Sequence, residues 1–129
     1  MQAATPELFS TLPTSLLPIW DAPGKVNAER LAKLLEFSKK DIAEAANVNP
    51  HSFSYGGKLP PVVAERLYEW ATALELVAGF FDGNADKTVI WFKSPNPLLG
   101  DLPPMYLIRI GRAGKLIRII RDALGGIRP

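Results

Sequence analysis

The sequence contains no cysteine and a single histidine, His51, among its 129 residues. Without cysteine, the chain can form no disulfide, no thiolate metal site and no thiol nucleophile. One imidazole is too few for the histidine clusters that bind zinc or a di-iron centre. We therefore expect no metal, no other cofactor and no enzymatic activity.

Long hydrophobic runs are also missing. The longest apolar stretches, residues 76–81 and 88–92, are far shorter than the roughly 20 residues that a membrane-spanning helix needs. The first four residues, Met1 to Ala4, lack the basic start and the apolar core of a secretory signal. These absences favour a cytoplasmic protein with no membrane contact.

The composition is that of a globular domain, with 47% apolar and 22% charged residues. The net charge of +2 is unevenly distributed. Residues 1–100 carry 9 basic and 11 acidic side chains, whereas residues 101–129 carry 6 and 2. This basic C-terminal end indicates either a solvated helix face or contact with an acidic or phosphate-bearing partner.

Residues 1–26 form a proline-rich arm. Its prolines prevent a long helix, but its apolar content is too high for a solvated linker. We expect the arm to be extended and to pack on the body of the protein, with packing on a second chain as the alternative. The four prolines are Pro6, Pro13, Pro18 and Pro23.

Three short helices are predicted after the arm. Asn27 can cap the first, and Ser38 with Asp41 resembles a capping box that opens the second. Asn49 followed by Pro50 can open a third helix through Phe53. Short helices with a tight turn between the second and third are typical of a helix-turn-helix unit.

The rest of the chain also has helical signals. A long helix begins at Pro60–Pro61, Asn84 can cap a further helix, and two more are expected over residues 104–110 and 112–124. We find no strand-turn-strand pattern and no internal repeat, so the predicted fold is all-α. The expected buried stripe of the long helix is Val63, Leu67, Trp70, Leu74, Val77 and Phe81.

A helix-turn-helix suggests contact with DNA, because its second helix can enter the major groove. Residues 38–60 carry three lysines against two acidic residues, a weak charge for binding phosphates. A purely structural helix pair is therefore the alternative at this point. The candidate DNA-binding residues are Lys39, Lys40, His51, Ser52, Ser54, Tyr55 and Lys58.

The most specific segment is Val89 to Gly100, in which Trp91 leads into Ser94-Pro95-Asn96 and then Leu99. A proline-led helix and a final amphipathic helix follow. This pattern resembles the C-terminal toxin-binding domain of Xre/MbcA/ParS-type antitoxins. The preceding helix-turn-helix stands where that family carries an Xre-like one, so the resemblance covers roughly residues 27–126.

The resemblance implies an antitoxin of a type II toxin–antitoxin system. It implies an Xre-like helix-turn-helix module over residues 27–82, a small helical toxin-binding module over residues 83–126, and a tail of residues 127–129. The expected partner is a RES-domain toxin that consumes NAD or transfers ADP-ribose from it. A homodimer and repression of its own operon, through operator DNA, are also implied.

The basic end of the chain is the toxin-facing surface that this resemblance implies, and the last three residues would act as a plug in the toxin's active site. The toxin-binding candidates are Arg112, Lys115, Arg118, Arg121, Ile127, Arg128 and Pro129. The motif residues expected to serve as scaffold are Trp91, Pro95, Asn96, Leu99 and Gly100. The alternative function is a stand-alone helix-turn-helix transcriptional regulator whose C-terminal module only dimerises.

Overall fold

The computed structural model describes residues 15–125 of the chain. This part of the chain is mostly helical, which confirms the predicted all-α fold. Its α-helices are α1 (Ala28–Leu35), α2 (Lys39–Ala46), α3 (Pro61–Phe80), α4 (Ala85–Lys93), α5 (Pro104–Arg109) and α6 (Ala113–Gly125). A two-stranded sheet, β1 (Trp20–Ala22) with β2 (Lys25–Val26), and two 3-10 turns, Pro50–Ser52 and Pro97–Leu99, complete these elements.

The predicted helix caps are present. The side chain of Asn27 accepts a hydrogen bond from the Arg30 N–H at 2.9 Å and opens α1. Ser38 and Asp41 form the reciprocal bonds of a capping box at the start of α2, with lengths of 2.8 and 3.0 Å. The Asn84 side chain caps α4 by accepting a hydrogen bond from the Lys87 N–H at 2.9 Å. Each cap satisfies amide donors that the first helical turn leaves free.

The predicted third helix begins at the expected residue but is shorter than predicted. The segment from Asn49 makes a single 3-10 turn over Pro50–Ser52, and Phe53 already has an extended backbone with φ −151°. This conformation buries the Phe53 ring in the core. Burial of the ring therefore ends the helix after one turn, so the second helix of the expected helix-turn-helix unit is reduced to three residues.

A small hairpin precedes α1, where no strand-turn-strand pattern was expected. Strands β1 and β2 are antiparallel, with Trp20 opposite Val26 and Ala22 opposite Lys25. Pro23 and Gly24 make the turn, and Gly24 has a φ of +75°, which favours glycine. The strands are two and three residues long, too short for an alternating pattern to show in the sequence.

Helix α3 is the centre of the core. Five residues of the expected stripe, Val63, Leu67, Trp70, Leu74 and Val77, are buried, whereas Phe81 follows the last residue of α3 and is only partly buried. Helix α3 packs against α6, α4, α2 and α1. The rings of Phe37 and Trp70 meet edge to face, with centroids 5.7 Å apart. Buried residues from both predicted modules belong to one hydrophobic cluster. The division between residues 82 and 83 stays a prediction.

Glu75 joins the described part of the arm to α3. Its carboxylate is 3% exposed and accepts hydrogen bonds from the Leu16 N–H (2.8 Å), the Leu17 N–H (3.0 Å) and the Trp20 Nε1–H (2.8 Å). Leu17 and Ile19 are buried beside it. This part of the arm packs on its own body, as predicted. Residues 1–14 lie outside the described range.

Asp41 also links distant parts of the chain. Its Oδ1 atom lies 3.3 Å from Arg109 Nη1 on α5, and the Arg109 guanidinium lies 4.7 Å from the centroid of the Phe37 ring. The Ser38 backbone N–H lowers the pKa of the Asp41 carboxyl, and the Ser38 hydroxyl and Arg109 lower it further against the opposing effect of burial. The ionised carboxylate therefore stabilises the fold.

We expect Asp41→Asn to reduce the free energy of unfolding by about 1 kcal/mol at neutral pH, because it weakens the capping box. A lowered pKa contributes stability above the unfolded-state pKa near 4, and this contribution is lost as the pH falls through the folded-state pKa. The difference between variant and wild type should therefore shrink below about pH 4. Urea unfolding at several pH values measures it, with Asp122→Asn at an exposed position as the control.

Candidate functional site

An exposed apolar groove lies between the end of α3, the start of the Pro97–Leu99 turn and α6. Its cavity of about 260 Å³ is lined almost entirely by apolar side chains. Phe80 and Leu98 on its rim are 64% and 66% exposed. Exposed apolar residues that cluster around a groove make this a candidate site of protein association. The lining residues are Val77, Phe80, Phe81, Trp91, Asn96, Leu98, Ile120, Ala123 and Leu124.

The turn beside the groove is held by Asn96. Its side chain accepts a hydrogen bond from the Leu98 N–H at 2.9 Å, and its backbone N–H donates to the Leu102 carbonyl at 3.1 Å. Gly100 ends the turn with a φ of +65°. This local bonding fixes the backbone that carries Leu98, so the side chain is presented to solvent from a rigid loop.

The motif residues expected to serve as scaffold have different environments. Trp91 and Leu99 are partly buried and pack against the core, and Trp91 also lines the groove. Asn96 forms the turn just described, and Pro95 and Gly100 are exposed. Sequence reasoning missed Phe80 and Leu98. Phe80 could have been found as a large apolar residue that falls outside the buried stripe of its helix.

The basic candidates lie on the opposite side of α6 from its buried face. Arg112, Lys115, Arg118 and Arg121 are exposed, whereas Ala113, Leu116 and Ile120 are buried. The first three line a cleft of about 360 Å³ together with Arg66 and Glu69 of α3. Arg121 does not line that cleft. The predicted plug, Ile127, Arg128 and Pro129, lies outside the described residues.

The DNA-binding candidates are only partly brought together. His51 and Ser52 are exposed on the 3-10 turn, where both bond back to Asn49. Lys39 Nζ lies 5.2 Å from the centroid of the buried Phe53 ring. Lys40 and Ser54 are exposed.

Tyr55 and Lys58 line a separate cavity of about 670 Å³ with Tyr68 and residues 24–29. Burial raises the pKa of the Tyr55 phenol, and the carboxylates of Glu29 and Asp41 raise it further. The phenol therefore stays protonated at neutral pH and can donate a hydrogen bond. It lines this cavity together with Lys58, in the segment between the 3-10 turn and α3.

The part of the chain that the structure describes holds neither a cluster of metal-binding side chains nor a helix that could cross a membrane. Residues 15–125 contain no group of three or more histidine, cysteine, aspartate or glutamate side chains placed to hold a metal ion. None of the helices in this range is both long enough and apolar enough to cross a membrane.

Comparisons with known proteins identify a shared fold. No protein-family model matches the sequence, and no curated protein matches it. The class of fold, a small helical domain around one long helix, is shared with a solved structure. One similar chain belongs to the crystal structure of the M. tuberculosis MbcT–MbcA toxin–antitoxin complex. The TM-score is 0.53 at 21% sequence identity, and the match covers 80% of this chain and 95% of that chain.

Proposed function

We propose that this protein is the antitoxin of a type II toxin–antitoxin system. The observation that carries the proposal is the fold that it shares with a chain of a toxin–antitoxin complex. The motif from Trp91 to Gly100, which resembles that of the toxin-binding domain of antitoxins, supports it independently. On this proposal the protein acts in the cytoplasm by binding and not by catalysis, and its partner is a RES-domain toxin that consumes NAD or transfers ADP-ribose.

Two candidate docking surfaces for this partner lie along helix α6. Ile120, Ala123 and Leu124 line the apolar groove, and Lys115 and Arg118 line the basic cleft. A desolvated apolar centre is usual in a protein interface, so the groove and the basic cleft are alternative docking surfaces for the toxin. The basic residues would be attracted to an acidic surface of the toxin.

The proposal extends to a homodimer that represses its own operon. The exposed residues of the 3-10 turn, His51 and Ser52, and the lysines near α2 are the groups that would contact DNA. One turn offers few side chains to base edges, so the contact would depend mainly on phosphates and would weaken steeply with salt.

Co-expression with the adjacent open reading frame tests the antitoxin function. We expect the neighbouring protein alone to stop growth and to lower cellular NAD, and we expect this chain to restore both within a complex that co-purifies. A chain that lacks residues 127–129 should still form the complex but should inhibit the toxin less, if the tail is the plug.

Two results would contradict these expectations. A harmless neighbour with no co-purification would refute the antitoxin function, and sequence-dependent binding of this chain alone to its own promoter would then favour a stand-alone regulator. Full inhibition by the truncated chain would refute the plug alone, because complex formation is measured separately.

A further inference from the structure

A cationic cleft lies between α3 and the beginning of α6. It has a volume of about 360 Å³ and is lined by Arg66, Arg112, Lys115 and Arg118. Arg66 is separated from the other three by 46 to 52 positions in the sequence, so only the packing of α6 on α3 brings these four positive charges together.

The charge in the cleft is not balanced by the part of the chain that the structure describes. Among residues 15–125, Glu69 is the one acidic residue that lines the cleft, and its Oε1 atom pairs with Arg66 Nη1 at 3.0 Å. Arg112, Lys115 and Arg118 make no ion pair within residues 15–125. Like charges that lie one helical turn apart destabilise a helix, so an anion from outside would be favourable here.

Two glycines also line the cleft. Gly111 and Gly114 line it and contribute no side chain, and Gly111 has a φ of +79° that favours glycine. A β-carbon at Gly111 would lie 3.4 Å from the Ala45 carbonyl oxygen, which shows how closely the chain packs on α2 at this point. A β-carbon at Gly114 would lie 3.8 Å from Glu69 Oε2, so the carboxylate of this residue lies beside the second glycine.

We propose that this cleft binds the pyrophosphate group of a small phosphate-bearing molecule. Arginine guanidinium groups suit phosphate oxygens because they donate two parallel hydrogen bonds. The volume falls within the range of about 300–1,000 Å³ that is usual for small-molecule sites. Lys39, Lys40 and Lys58 do not line the cleft, so its cations form a compact cluster and not a stripe along a nucleic acid.

Titration of the isolated chain tests this proposal without any toxin, so its failure would leave the proposed function untouched. The probes are sodium pyrophosphate, ADP and adenosine. Their binding is measured by calorimetry and by changes in the amide NMR signals of Gly111 and Gly114. We expect saturable binding of pyrophosphate and ADP, with shifts of both signals, and no binding of adenosine. Binding of pyrophosphate but not ADP would restrict the ligand to the inorganic ion and still support the site.

Variants that remove charge distinguish specific binding of pyrophosphate in the cleft from nonspecific attraction of anions to a basic protein. Arg112→Gln with Arg118→Gln should weaken pyrophosphate binding by at least about tenfold, because two charged donors are lost. Lys33→Gln combined with Lys87→Gln removes the same two units of charge at exposed positions of α1 and α4 and should leave binding unchanged. An equal loss in this control, no saturation at millimolar pyrophosphate, or a response of the Gly111 and Gly114 signals to duplex DNA alone would each overturn the proposal.

Discussion

Replacement of Glu75 by glutamine is expected to lower the free energy of unfolding by about 3 kcal/mol. The buried carboxylate accepts three hydrogen bonds from the arm, two from backbone amides and one from the Trp20 indole. An amide of the same shape has one acceptor oxygen, and its NH₂ group turns a donor toward other donors. At least one donor therefore loses its acceptor, and the remaining bonds lose the charge that strengthens them.

Urea unfolding measures the loss, and hydrogen exchange of the Leu17 amide locates it. The Leu17 amide is buried and donates a hydrogen bond to Glu75 Oε2, so its hydrogen exchange should accelerate in the variant. Glu65→Gln makes the same chemical change at an exposed position of α3 and should alter stability by less than about 0.5 kcal/mol. An unchanged urea midpoint together with slow Leu17 exchange would show that Glu75 does not hold the arm.

Helix caps and the buried stripe of α3 were predictable because they depend on residues close together in the chain. Asn27, Ser38 and Asn84 each accept a hydrogen bond from an amide three residues further on. The stripe depends only on the helical period. Local chemistry of this kind is encoded within a few positions, so it can be derived from the sequence without the tertiary structure.

Short elements were harder to predict. The Pro23-Gly24 pair indicates a turn, but strands of two and three residues leave no alternation to recognise beside it. The predicted third helix was too long because local signals indicate its start but not its end. Its start, Asn49 and Pro50, has good local signals, whereas its end is set by burial of Phe53, which is a tertiary effect.

The candidate surfaces required the tertiary structure. Arg66 joins the basic cleft, and Phe80 joins Leu98 at the apolar groove, only after α6 packs on α3. The partners of Glu75 are 55 to 59 residues away. The sequence identified the basic residues of α6 as a surface but not the groove on the same helix, because an exposed apolar residue and a buried one look alike in a sequence.

Phe80→Gln combined with Leu98→Gln is expected to weaken the complex with the toxin by at least about 30-fold, if the groove is part of the interface. Both side chains are mostly exposed in the free chain, so their removal should leave the fold and its unfolding temperature nearly unchanged. Calorimetric titration with the purified product of the adjacent open reading frame measures the affinity, and growth of the co-expressing cells shows whether inhibition is lost with it.

Ile90→Gln is the matched control, because Ile90 is 62% exposed on α4 but does not line the groove. Loss of exposed apolar surface alone should therefore change the affinity by less than about threefold at this position. If Ile90→Gln weakens the complex and the groove variant does not, the toxin docks elsewhere on the molecule. If the groove variant binds as tightly as wild type while Arg118→Gln binds weakly, the basic face alone carries the interaction. The groove and the cleft lie on different sides of α6, so this set of variants assigns the contact to one of them.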